Sequence, residues 1–245
     1  MNEPELSIVI PALNEEHKIR EDVRASSRFL EEAGMTGEVI VVDDGSMDAT
    51  ADVAERTPTG EGIESRVLRL HRNYGKGRAV RVGIGASRGR YVMFMDSGLC
   101  VPLHYILDGL RLLEQNECDI AHGSRHLPES IVSPPRPLHR RILSFVFRRF
   151  FYPLLGMPSA ITDSQCGFKI YPGNVGRELY RRCKTDGAVF DAEVIMRATR
   201  RGLRIREFPV EWTGDPDSRL QLGREMLRAP IELVEAYRAA RPDGD

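Results

Sequence analysis

The sequence predicts an α/β protein with a mostly parallel sheet flanked by helices. Three observations predict it. Short apolar runs rich in β-branched residues recur through the first half, stretches of helical periodicity separate them, and the residues after each run are polar. The 245 residues, 41% hydrophobic and 29% charged, suit a single domain with a large core and exclude a disordered chain. The acidic start lacks the basic-then-apolar layout of a signal peptide, so none is expected, and no apolar run reaches the length of a membrane span.

Leu6-Ser-Ile-Val-Ile10 is the first predicted strand. A helix follows, with Ile19, Val23 and Leu30 near a helical period and Asn14 expected as its N-cap. Glu38-Val-Ile-Val-Val42 is the second strand, and its β-branched run predicts burial on both faces. Arg66-Val-Leu-Arg-Leu70 and Tyr91-Val-Met-Phe-Met95 are the third and fourth, with a helix over 77–87 between them. Strand and helix alternating in this way indicate βαβ units.

The second half is less regular. Residues 119–121 predict a short strand, and Asp163-Ser-Gln-Cys-Gly-Phe-Lys169 a polar turn entering another. Residues 190–201 look helical. Residues 206–212 read as one strand, which Pro209 confines to an edge. A helix over 218–240 closes the chain. The predicted organisation is a catalytic domain over 1–218, with 136–155 as an amphipathic segment within it, and a C-terminal helix and tail over 219–245.

In open parallel sheets, ligands bind beyond the carboxyl ends of the strands. Those ends carry Asn14 and Glu15, Asp43 and Asp44, Lys76 within Gly-Lys-Gly, and Asp96. Each segment alone is ordinary turn and cap chemistry. Four together on one rim point to a phosphorylated ligand: carboxylates for a base, a ribose or a cation, and a lysine for phosphate. The dinucleotide fingerprint and the Walker A loop are both absent.

Charge is unevenly spread. The 35 basic and 36 acidic residues leave a net charge of -1, which argues against a nucleic-acid partner. Between Arg125 and Tyr152, however, six arginines face one acid, a net +5, interleaved with five aromatics. Within this stretch, after a loop marked by Pro134, Pro135 and Pro137, residues 142–152 read as an interfacial helix on an anionic membrane surface, or as a packed helix with arginines at its solvent edge. Cys100, Cys118, Cys166 and Cys183 match no zinc motif or disulfide framework, so the chain is expected to be reduced and cytoplasmic. Cys166 is expected to pack as a small hydrophobe, and His122 and His126 to be structural or exposed. Asp191 and Glu193 either touch the site or cap a helix.

Ser7-Ile-Val-Ile-Pro-Ala-Leu-Asn-Glu15, Val41-Val-Asp-Asp-Gly-Ser46 with Asp48 and Thr50, and Asn73-Tyr-Gly-Lys-Gly77 resemble the family 2 glycosyltransferases of the GT-A, Rossmann-like fold. Gly123-Ser-Arg125, the 163–169 turn, Phe190-Asp-Ala-Glu193 and Glu207-Phe-Pro-Val-Glu-Trp212 are similar to the dolichyl-phosphate glucosyltransferase branch, with the mannosyltransferases next. The resemblance implies inverting transfer of a hexose, glucose favoured, from a nucleotide sugar of the UDP-glucose or GDP-mannose type to a polyprenyl phosphate. It implies that Pro11, Ala12, Asn14, Glu15, Asp43, Asp44, Lys76 and Ser97 bind the donor. Asp96 would be the catalytic and metal-binding acid. Arg125, Arg136, Arg140 and Arg219 would meet the acceptor phosphate, and Asp163, Gln165 and Lys169 would border the sugar.

One departure stands out. The family's Asp-x-Asp motif is here Asp96-Ser97-Gly98, so the second acid is missing and a site for Mg2+ or Mn2+ is expected to be weakened. A phosphate acceptor needs no strong base; a hydroxyl acceptor needs one, for which Asp163 is the candidate, or else Asp163 is structural. Three functions follow: a polyprenyl-phosphate hexosyltransferase bound peripherally to the cytoplasmic side of a membrane, with or without a membrane-protein partner; a soluble transferase acting on a small-molecule hydroxyl; and a non-catalytic nucleotide-sugar binding module.

Overall fold

A computed structural model describes residues 3–134, 152, 156–214, 232 and 236–240. The first four strands are β1 (Leu6–Ala12), β2 (Gly37–Asp43), β3 (Glu64–Arg69) and β4 (Tyr91–Met95). Between them lie α1 (Ile19–Glu32), α2 (Thr50–Glu55) and α3 (Lys76–Ala86). Then follow α4 (Tyr105–Glu114), β5 (Ile120–Ser124), β6 (Ile131–Ser133), β7 (Phe168–Pro172), α5 (Gly173–Arg182), α6 (Phe190–Arg200), β8 (Ile205–Pro209) and β9 (Glu211–Thr213).

Seven strands form one sheet in the order β3-β2-β1-β4-β7-β5-β8, and β6 pairs with β9 separately. The pairs among β1 to β4 are parallel, as is β5 with β8; β7 alone runs against its neighbours. Every residue of β2 is buried, as its run of β-branched residues predicts. Strand alternation divides the core. Ile8 and Ile10 pack with Ile19, Val23 and Ile106 on one face, while Val9 packs with Val80 and Ile84 on the other.

At the opposite end of the sheet from the polar rim, β2 buries a charge completely. Glu38 accepts bonds from Ser7 Oγ at 2.7 Å, Arg88 N at 2.7 Å and Arg66 Nη2 at 2.7 Å. Burial would raise its pKa, but these donors outweigh burial and lower it.

Several expectations change. Asn14 is not the cap of α1. The helix starts at Ile19 behind Lys18, and Asn14 takes a left-handed φ of 56° to bond across to the next loop. Residues 206–212 form two strands in two sheets rather than one. Val210 turns its N–H to Ser124 O at 3.3 Å, so β8 ends at Pro209, on the sheet edge where a proline belongs. Helices α2, α4 and α5 are additions to the expected elements: α2 spans only 6 residues, whereas α4 does place Ile106, Leu110 and Leu113 at helical spacing on its buried face. The C-terminal helix is described only at Glu232 and 236–240, where Ala236 and Ala240 pack against Ile195 and Met196.

Candidate active site

The rim is stitched together by its own polar groups. Asn14 Oδ1 accepts the Met47 N–H at 2.8 Å, and the Asn14 N–H donates to Ser46 Oγ at 2.8 Å. The Glu15 N–H donates to Thr50 Oγ1 at 2.7 Å, and Asp43 Oδ1 accepts from Ser46 N at 3.1 Å. The loops after β1 and β2 therefore form one unit, with Pro11 and Ala12 at its base. Asp44 ties in the third loop, accepting from Tyr74 N at 2.9 Å and Gly75 N at 2.8 Å. Burial raises the pKa of Asp44 despite those two amides. Gly75 has φ 109°, and a Cβ there would lie 2.5 Å from Asp186 O, so the turn entering α3 accepts only glycine.

Lys76 opens α3 and reaches the end of β4, where Nζ lies 2.5 Å from Asp96 Oδ1. Both side chains are about a third exposed. Burial lowers the lysine pKa, but Asp96 and Asp191 outweigh it, so Lys76 stays charged. An open cleft of about 250 Å³ beside Asp96 is lined by Leu99, Cys100, Phe168 and Trp212.

On the other side, Arg125 leaves β5 and is gripped by Asp163. Nε lies 2.6 Å from Oδ2, Nη2 lies 2.8 Å from Oδ1, and the Arg125 N–H donates to Oδ2 at 3.0 Å. Asp163 is 3% exposed. Burial alone would raise its pKa, but Arg125 holds it well below the usual carboxylate range. Glu207 on β8 braces the pair, accepting from Thr162 N at 2.8 Å, Thr162 Oγ1 at 2.8 Å and Asp163 N at 2.7 Å. The guanidinium also sits 5.5 Å from the centre of the Trp212 ring. Both carboxylate oxygens of Asp163 are thus taken up by Arg125.

The remaining expected residues divide. Gln165 is exposed beside Asp163, to which its N–H donates at 3.2 Å. Lys169 is not on the site surface. It is fully buried in β7, with Nζ 2.7 Å from Asp191 Oδ1 and 2.6 Å from Cys166 O. Asp191 answers that charge, and Glu193 binds the Lys184 and Thr185 amides and Arg197. Burial pushes the Cys166 thiol up to about 12. His122 is fully buried, edge-on to Tyr171, and burial holds it neutral. Arg136, Arg140 and Arg219 lie outside the described residues, as does most of 136–155; Tyr152 bonds Ser164 Oγ at 2.6 Å.

Two contributors stand outside the expected site residues, although Glu207 opens one of the segments that carry the family resemblance. Glu207 sits 44 residues from the Asp163 it braces. Asp22, in the first turn of α1, accepts from Ser97 Oγ at 2.5 Å and from Gly98 N at 2.9 Å. Burial raises its pKa to about 6. In the sequence it reads as an ordinary acid at a helix start.

The donor set tests the fit of a divalent cation. Gly98 offers no side chain, and among the described residues no three His, Cys, Asp or Glu groups converge on one point. An all-protein cage is therefore not built here. Asp96, partly exposed and at the rim, fits a magnesium-type ion that takes its other ligands from a diphosphate and water.

Residues 7–171 match the family model described as Glycosyl transferase family 2. The chain belongs to that family. It is 36% identical to the dolichyl-phosphate beta-glucosyltransferase of Drosophila melanogaster, over 96% of this chain and 78% of the relative. The human protein of the same name is 31% identical over 91% of this chain and 74% of its own length. Among solved structures, glucosyl-3-phosphoglycerate synthase from Mycobacterium tuberculosis, in complex with Mn2+, UDP-glucose and phosphoglyceric acid, has a TM-score of 0.71 at 20% identity. The match covers 96% of this chain and 80% of that one, and at this identity it shows the shared GT-A fold. The glycosyltransferase expected from the sequence is thus borne out in fold and family.

Proposed function

We propose that this chain transfers glucose from UDP-glucose to a polyprenyl phosphate of the dolichyl type, with inversion at the anomeric carbon. Its relatives named for that activity support the reading, and one observation of the site carries it. Among the described residues, the two acids that frame Arg125 are already engaged: Asp163 by Arg125, and Glu207 by Thr162 and Asp163. A hydroxyl acceptor needs a base, whereas a phosphate monoester arrives with its oxygen already anionic.

The donor's nucleoside would lie against Pro11, Ala12, Asn14, Glu15, Asp43 and Asp44, and its diphosphate near Lys76, Asp96 and Ser97. Lys76 would stabilise the charge that develops on the leaving diphosphate. Mg2+ or Mn2+ on Asp96 would supply Lewis-acid charge neutralisation at the same place when bound. Arg125, held rigid by Asp163, would orient the acceptor phosphate for in-line attack, with Arg136, Arg140 and Arg219 as further cations and Gln165 bordering the sugar. Lys169 would act from beneath, as the countercharge of Asp191.

The arginine-aromatic segment over 136–155 would seat the chain on an anionic, cytoplasm-facing membrane surface, where the lipid phosphate is found. No helix among the described residues is long and apolar enough to cross a membrane. A membrane-protein partner is compatible with this placement.

The test is to mix purified protein and Mg2+ with vesicles containing polyprenyl phosphate, then supply UDP-glucose or GDP-mannose. Mass spectrometry of the extracted lipid should show a hexosyl phosphate product with UDP-glucose. A product with a water-soluble hydroxyl acceptor alone would replace this reading with the soluble one. Donor binding without any turnover would leave a binding module.

A further inference from the structure

The turn after Asp96 is unusual. Gly98 and Leu99 are consecutive residues with positive φ, 93° and 49°. Leucine rarely adopts such a conformation, and it persists only where the surroundings impose it. What imposes it comes from another element. Asp22 on α1 is 1% exposed and points both carboxylate oxygens at this turn. It takes the Ser97 hydroxyl at 2.5 Å and the Gly98 N–H at 2.9 and 3.1 Å. Ile19 and Val23 of α1 are fully buried in the same core as Met93 and Met95 of β4, so Asp22 is delivered from a rigid base.

The same turn is where the chain lacks its second acid. With glycine at 98, Asp96 is left as the carboxylate that must meet the donor's diphosphate end; Lys76 holds one of its oxygens, and the backbone that follows Asp96 sets where the carboxylate sits. We propose that Asp22 is a positioning residue for the donor. By clamping Ser97 and Gly98 from below, it holds the strained turn and keeps Asp96 aimed at the diphosphate. The structure places the compensating carboxylate under the motif rather than within it. This inference rests on Asp96 being a diphosphate-side residue, as in the proposed function.

Asp22 directs its carboxylate hydrogen bonds to Ser97 and Gly98 and meets the nucleoside rim only through charge repulsion with Glu15, which predicts a selective effect. Calorimetry with UDP and with UMP, each in Mg2+, reads the diphosphate and nucleoside ends separately. GDP and GMP serve as the alternative pair. In Asp22→Ala, UDP binding should weaken about tenfold, the scale on which partners of ligating groups act, while UMP binding stays unchanged. Asp22→Asn keeps one acceptor for the Gly98 N–H and should recover part of the loss. Asp22→Asn also carries the test if Asp22→Ala does not fold.

Equal losses for UDP and UMP, or no loss for either, would overturn the inference. If the unaltered protein bound neither UDP nor GDP, the donor reading itself would fall first, and the two failures are distinguishable in that way.

Discussion

The two sides of the site are held by different physics. On the donor side, carboxylates and amides accept backbone N–H groups from neighbouring loops: Asn14 from Met47, Asp44 from Tyr74 and Gly75, Asp22 from Gly98. On the acceptor side, a buried carboxylate holds a guanidinium, Asp163 on Arg125, and Glu207 fixes the carboxylate's own backbone. Asp22 and Asp163 make the contrast sharp. Both are buried, yet one is raised to about 6 and the other depressed, because Asp22 meets neutral donors and Asp163 meets a full positive charge. The donor side is organised to shape loops around a ligand. The acceptor side is organised to hold one cation still.

Breaking the acceptor clamp should have the largest effect. Asp163→Ala leaves the Arg125 guanidinium buried without its partner, and loss of one member of a buried pair costs about 3–5 kcal/mol. Urea unfolding should show that loss, and lipid-linked product should disappear with it. Lys76→Met tests the opposite balance. Lys76 is partly exposed, so stability should change little, while kcat falls about 10²- to 10³-fold, as when a group that stabilises developing charge is removed. A large stability loss with normal turnover would show that the lysine is structural.

The third prediction uses pH. Asp22 has a raised pKa in the folded state, so its contribution is fully present below the usual carboxylate value and lost as pH rises through about 6. A rise from 3.8 to about 6 corresponds to about 3 kcal/mol. The unfolding free energy of Asp22→Asn, measured against the parent from pH 4 to 7.5, should therefore shift in the variant's favour by about that amount. Asp163 behaves oppositely. Its stabilisation is fully present above the usual carboxylate value and is lost progressively as pH falls below it, so Asp163→Asn should show no such shift between pH 5 and 7.5. The smallest effect belongs to a single loop bond. Asn14→Ala should cost about 1 kcal/mol in melting experiments and raise the donor KM with kcat near its parent value.

Much of this architecture is legible in the sequence where the signal is local. Tyr91–Met95 emerges as a strand because five apolar residues are bounded by arginine and aspartate, and the structure gives the same limits. The polar residues after β1 to β4 converge because parallel strands all end on one side. What is not legible depends on partners far along the chain. Lys169 is expected to border the sugar, since nothing local shows that Asp191 will neutralise it in the core. Asn14 reads as a helix cap, because its bond to Met47 spans 33 residues. Asp22 reads as a helix-start acid, because Gly98 lies 76 residues away.

The central claim is glucosyl transfer to a lipid phosphate. Its most direct measurement is the product formed from radiolabelled UDP-glucose, Mg2+ and vesicles, with polyprenyl phosphate present or left out. The account predicts label in the lipid phase only when polyprenyl phosphate is present, and none with Asp163→Ala. Label that stays in water, or passes to a soluble hydroxyl compound regardless of the lipid, would contradict it.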